Sequence, residues 1–140
     1  MTEGLEALAA LAERAAALAE EVTRVAERYA ETLRSGGTLY FAGNGGSAAD
    51  AQHVATEYVV RYRSDRPAYA AVALTTDSSL LTAAGNDFGF DHLFARQVEA
   101  LCRTGALLIL HSPLGQRPHL LLAARPAPFA PSVPAAQPPS

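Results

Sequence analysis

From Leu5 to Leu33 apolar side chains return at alternating intervals of three and four, at Leu8, Leu11, Ala15, Leu18, Val22, Val25 and Tyr29, and no proline interrupts them. That spacing predicts one long amphipathic helix with a heptad seam. Such a stripe suits a helix packed on its own domain, and it also suits a helix bundled with copies from other subunits; its length and regularity favour the bundle. Ser35, Gly36 and Gly37 end the pattern, because glycine accepts the left-handed conformation that follows a helix.

Beyond that point the period changes. Thr38–Gly43 is short, apolar and aromatic, and so reads as a buried parallel strand. Ala68–Thr76 and Gly105–Ser112 repeat the pattern, each after a helical segment. Strands alternating with helices predict a doubly wound α/β sheet, with ligands at the carboxyl ends of the strands.

The first strand runs directly into Gly43-Asn44-Gly45-Gly46-Ser47, and a helix is predicted from about Ser47 to Tyr58. Glycines here let the backbone approach a ligand closely, and the free amides and dipole of the helix start favour a phosphate. The same residues would also make a merely tight strand-to-helix turn with Ser47 as its N-cap. On that helix Ser47, Asp50, His53 and Glu57 share one face, and Ala48, Ala51, Ala55 and Val59 make the apolar one. His53 and Glu57 stand at i, i+4, so both can reach a metal ion or the two ends of a proton transfer; a solvated surface pair has the same spacing.

Composition narrows the classes. The chain has 140 residues, 49% of them apolar and 18% charged, the balance of a soluble protein with one core. A net charge of -3 offers nucleic acid no general attraction. There is no apolar run long enough to span a membrane and no basic, then apolar, start, so a cytoplasmic protein is expected. Cys102 is the single cysteine, which excludes an intrachain disulfide and points to core packing.

Four segments carry a family resemblance: "GNGGSAADAQH", "RYRSDRP", "ALTTDSSLLTAAGNDFGF" and "FARQVEAL". Each is weak alone. Together, over roughly the first 110 residues, they resemble the sedoheptulose 7-phosphate isomerases, or phosphoheptose isomerases, of the sugar isomerase (SIS) domain superfamily. The resemblance implies an α/β fold, a three-layer sandwich on a parallel sheet preceded by a long N-terminal helix. It implies a homo-oligomer, a tetramer or dimer, built on that helix. It also implies ketose–aldose isomerisation of a phosphorylated sugar, sedoheptulose 7-phosphate, to glycero-manno-heptose 7-phosphate on the route to ADP-heptose. Carried over to this chain, Glu57 and His53 match the catalytic acid–base position and the zinc ligands. Asn44, Gly45, Gly46 and Ser47 match the phosphate and sugar contacts, and Asp87 a polar residue of the sugar site. A second class stays open, a SIS-domain protein that binds phosphosugar and a partner such as the replication initiator without catalysis; the His53–Glu57 pair favours the enzyme.

The resemblance breaks after the third strand. All 14 acidic residues lie at or before Glu99, and all prolines but Pro67 lie at or after Pro113. Where the family has a serine-rich phosphate loop and later a Gln and a His that complete the metal and acid–base set, only Ser112 matches. The expected organisation is therefore an oligomerisation helix over 1–36, a partial SIS domain over 37–112 and an irregular proline-rich tail over 113–140, truncated on the C-terminal side. The tail reads either as the product of a shifted reading frame or as an evolved ending. An incomplete zinc site and impaired turnover are the corresponding expectations.

Overall fold

The structure, a computed structural model, describes residues 2–112 and 117–125. The chain divides into two compact units between Glu31 and Thr32. In the first, α1 (Thr2–Ala16) is followed by the greater part of α2 (Ala19–Arg34). The single uninterrupted helix expected here is therefore broken. At Ala17 and Leu18 the amides bond back three residues, to Arg14 and Ala15 at 3.2 and 3.0 Å, and the four-residue pattern resumes from Val22 to Leu18. Three successive alanines, Ala15 to Ala17, offer no side chains to crowd the narrower turn. Neither helix buries a residue. At its C-terminus α2 closes as expected, with the Gly37 and Gly36 amides bonded to the Thr32 and Leu33 carbonyls and Gly36 at φ 80°.

The second unit contains β1 (Leu39–Gly43), α3 (Gly46–Val59), β2 (Ala71–Ala73), α4 (Ser78–Phe88), a 3-10 turn (Phe90–His92), α5 (Leu93–Leu101), β3 (Leu107–His111) and α6 (Pro118–Ala124). The strands form a parallel sheet in the order β2-β1-β3. Leu39 pairs with Ala71 on one side and with Leu107 on the other, and Gly43 pairs with His111.

Alternation along β1 sends successive side chains to opposite faces. Phe41 meets α3, its ring stacked 6.1 Å from that of Tyr58, and Ala51 and Ala55 are the buried residues of α3. Ala42, on the other face, joins Leu74, Phe94, Val98, Cys102, Leu108, Leu120 and Ala123 in one apolar cluster. Helices thus cover both faces, the arrangement that a parallel sheet requires. Cys102 is a packing residue in that cluster, and burial pushes its thiol up to about 11.

Three local expectations change. The strand expected over 68–76 is confined to Ala71–Ala73, because the chain before it is drawn toward α3 instead, with the Tyr69 amide on the Tyr58 carbonyl at 3.1 Å. Val59, assigned to the apolar face of α3, is exposed; it borders an open groove with Gln52, Ala55, Thr56, Val60, Ala73 and Thr76. The largest change is in the segment expected to be irregular, where residues 118–124 form α6. Pro118 sits in its first turn, where a missing amide hydrogen costs nothing, and Leu120 and Ala123 drop into the core cluster. The rest of the expected tail, 113–116 and 126–140, lies outside the described residues.

If α6 is part of the core, Leu120→Ala should destabilise the unit by about 2–5 kcal/mol, the usual cost of emptying a buried leucine site. Urea unfolding measures it. A midpoint unchanged from the parent chain would show that α6 is not docked.

Candidate functional site

Because β1 is the central strand, the chain leaves its carboxyl end toward β2 on one side, while β3 stands on the other. Such a switch of direction opens a crevice beyond the strand ends. Here the crevice lies between Gly43 of β1 and His111 of β3, which are register partners.

Asn44 and Gly45 carry the chain out of β1, and α3 begins at once. Gly45, the N-cap, has φ 56° and ψ -124° and offers no side-chain cap. Ser47 is therefore inside the helix, not its cap. The Gly45 carbonyl takes the Ala48 and Ala49 amides at 3.1 and 3.3 Å. The amides ahead of them, on Gly46 and Ser47, have no acceptor among the described residues and are the donors a helix start presents to an anion. Gly43 makes this compact turn possible: a Cβ on it would stand 2.6 Å from the Ser47 carbonyl oxygen and 2.8 Å from Ser47 Cβ.

Further along α3 the expected pair meets, with His53 Nε2 3.7 Å from Glu57 Oε1. His53 is 74% exposed and Glu57 31%. The end of the helix that carries Glu57 is held by Arg66, whose guanidinium donates to the Glu57 and Tyr58 carbonyls and stacks 4.3 Å over the Tyr69 ring. Gln52 ties the middle of α3 to the end of β2 through Thr75 Oγ1 at 3.1 Å. Gln97, buried in α5, donates to the Leu74 carbonyl at 2.9 Å and braces the same edge.

Asp87 is exposed at the end of α4, and its carboxylate accepts from Asn86 Nδ2 at 2.8 Å. Ser112 is half-buried directly after His111. As for zinc, His53 and Glu57 supply two donors, and the described residues contain no group of three or more His, Cys, Asp or Glu able to hold a metal. A catalytic zinc needs three protein ligands and a closed structural one four, so this pair alone does not make the site.

Two histidines stand at the ends of β1 and β3, His111 as the register partner of Gly43 and His119 against Asn44. His119 of α6 is buried, and the Asn44 side-chain amide nitrogen lies in hydrogen-bond contact with its Nε2. The Phe90 ring meets it edge-on at 5.1 Å and the Phe94 ring at 6.2 Å. Burial holds the His119 imidazole below its ordinary value; Asp91 opposes that shift and Arg117 adds to it. His111, edge-on to Phe41 at 5.9 Å, is also lowered by burial, against the pull of Asp50. The sequence held one signal for His119: proline followed by His-Leu-Leu-Leu-Ala-Ala reads as a helix start once Pro118 is taken as a first-turn residue. His111 carried no signal of its own.

A parallel sheet with this switch point and an anion-ready helix start beside it define an α/β fold with a candidate anion site, and the chain belongs to the SIS-domain family, whose domain model matches residues 5–128. The match runs through α6, past the point where the motifs thin out. Within that family the chain is similar to phosphoheptose isomerases. It is 56% identical over 111 residues to that of Bradyrhizobium sp. strain BTAi1, covering 79% of this chain and 56% of the relative. It is 51% identical over 138 residues to that of Bradyrhizobium sp. strain ORS 278, covering 91% and 70%. The solved phosphoheptose isomerase GmhA of Neisseria gonorrhoeae superposes with a TM-score of 0.78 at 43% identity, covering 87% of this chain and 63% of its own. The chain thus spans between 56% and 70% of the length of these relatives.

Gly43→Ala should push the first turn of α3 away from β1 and weaken binding of inorganic phosphate on the order of tenfold or more. Calorimetric titration checks this. Undiminished phosphate affinity in a folded variant would remove the turn from the site.

Proposed function

We propose that the chain provides the phosphate loop and the proton-transfer carboxylate of a phosphoheptose isomerase, which converts sedoheptulose 7-phosphate to glycero-manno-heptose 7-phosphate. The observation that carries this reading is that one helix bears both functions: anion-ready amides with Ser47 at its start and the converging His53–Glu57 pair toward its end. The names of the relatives support the choice of substrate.

In this reading the sugar phosphate docks on the Gly46 and Ser47 amides and the Ser47 hydroxyl, with Asn44 and Ser112 beside it and Asp87 on the sugar. Glu57 takes a proton from C1 of the ketose, the C1–C2 bond becomes the double bond of an enediol, and the proton returns to C2. The C1 hydroxyl gives up its proton as the C1 carbonyl forms, and the oxygen on C2 gains one. His53 holds the carboxylate in line. Binding energy at the phosphate is what orients the sugar for this step. The pair is open to solvent in the single chain, so the exclusion of water must come from the bound sugar or from a second copy. A zinc ion in the site would need ligands beyond His53 and Glu57.

Assembly follows from the first unit. Leu5, Leu8, Leu11, Leu18 and Val22 on α1 and α2 are each more than half exposed. An apolar stripe of that length in water marks an interface, here with copies of the same helices. Leu18→Asp should move the chain to monomer in light scattering at micromolar concentration; a parent chain already monomeric would overturn the assembly.

The isomerase reading is tested in deuterium oxide. Sedoheptulose 7-phosphate incubated with the chain should acquire deuterium beside its carbonyl, followed by proton NMR, slowly in view of the incomplete metal donors. Glu57→Gln should lower that exchange by about 10²–10⁴, the usual contribution of a general base. No exchange above the protein-free control, or exchange unaltered by Glu57→Gln, would rule the mechanism out.

A further inference from the structure

Beside the crevice between β1 and β3 lies a contact that the proposed reaction does not use. Asn44 leaves β1 at the site, half-buried, and its amide nitrogen meets Nε2 of His119, which is buried between Asn44, Phe90 and Phe94. An amide nitrogen is a donor only, so Nε2 must be the unprotonated acceptor and the ring hydrogen must sit on Nδ1. With Nδ2 committed to His119, Oδ1 is the amide's remaining polar atom. It has no donor among the described residues.

We propose that His119 is a positioning residue that locks the Asn44 amide with Nδ2 on its imidazole, so that Oδ1 is offered as an acceptor to a hydroxyl group of a polyol phosphate bound in the crevice. The polyol part of this inference rests on the phosphosugar reading; the lock itself does not. Its logic is one of polarity. A neutral imidazole with its hydrogen on Nδ1 accepts at Nε2 and leaves an amide oxygen for the ligand, whereas an imidazolium donates from both nitrogens, and the amide must then turn over and present its NH2 group instead. The charged groups facing His119 are Asp91, from the 3-10 turn, and Arg117, ahead of α6. Burial outweighs Asp91 and keeps the ring neutral at neutral pH. The unfolded chain binds that proton more readily, so stability conferred by the neutral ring is present above 6.5 and is lost as the pH falls through the lowered value.

The test uses the whole 15N-labelled chain without sugar. At pH 7 the His119 ring nitrogens should show Nδ1 protonated and Nε2 bare, and the Asn44 side-chain amide resonances should move with the His119 titration. His119→Gln, which keeps an acceptor oxygen, should retain the Asn44 signal position and lose its pH dependence; His119→Leu should lose both. An Nε2-protonated ring at pH 7, or Asn44 resonances that titrate in the Gln variant as in the parent, would overturn the lock, and the Gln variant decides this even if the Leu variant fails to fold. Sedoheptulose 7-phosphate titration follows. Affinity should fall about tenfold for His119→Leu, the loss of one ordinary hydrogen bond. As the pH drops, affinity should fall further in the parent chain than in His119→Gln, which shares the titration of the substrate phosphate. An intact lock with sugar binding indifferent to these variants would overturn the polyol role and leave the phosphate site standing.

Discussion

Everything in the second unit depends on β1 being hydrogen-bonded on both edges and covered on both faces. A central parallel strand has no polar surface to spend, and Leu39, Phe41 and Ala42 are accordingly shut off from solvent. Covering two faces forces α3 onto one and α5 with α6 onto the other. Pairing two edges places β2 and β3 on opposite sides. The crevice at the carboxyl end is the geometric remainder of those demands, and Asn44 and Ser112 are the residues that leave β1 and β3 there.

Chemistry enters where the chain turns out of β1. The turn is so short that the first residues of α3 lie against Gly43, closer than any side chain would allow. The Gly46 and Ser47 amides are left at that helix start as donors an anion can take. The site is built from backbone at one end and from side chains at the other, where His53 and Glu57 depend on a helix end secured by Arg66. Loop and pair thus share one helix, α3.

The segment after β3 changes the account of the crevice most. Its prolines argue against regular structure only if each is taken as a helix breaker, yet Pro118 opens α6. Docking Leu120 and Ala123 in the core carries His119 to Asn44 without any sequence relation between the two. Burial among aromatic rings then keeps the imidazole neutral, so that Nε2 is able to accept from the amide. A residue outside every recognised motif thereby governs the polarity of one inside a motif.

The sequence by itself determined the helical period before Gly36, the short apolar strand after it, the glycine-rich turn, the i, i+4 meeting of His53 and Glu57 and the apolar stripe of Leu5 to Tyr29. All of these are local: they follow from backbone geometry within a few residues, and the motif set led from them to the family. Tertiary structure alone decided that β1 would be central, that β2 would shrink to three residues as its approach was drawn to α3, and that Val59 would stand at an open edge. It alone brought His111 beside Gly43 and His119 against Asn44, partners 68 and 75 residues apart in sequence. No periodicity encodes such pairs, because they arise from sheet order and from which apolar face finds room in the core.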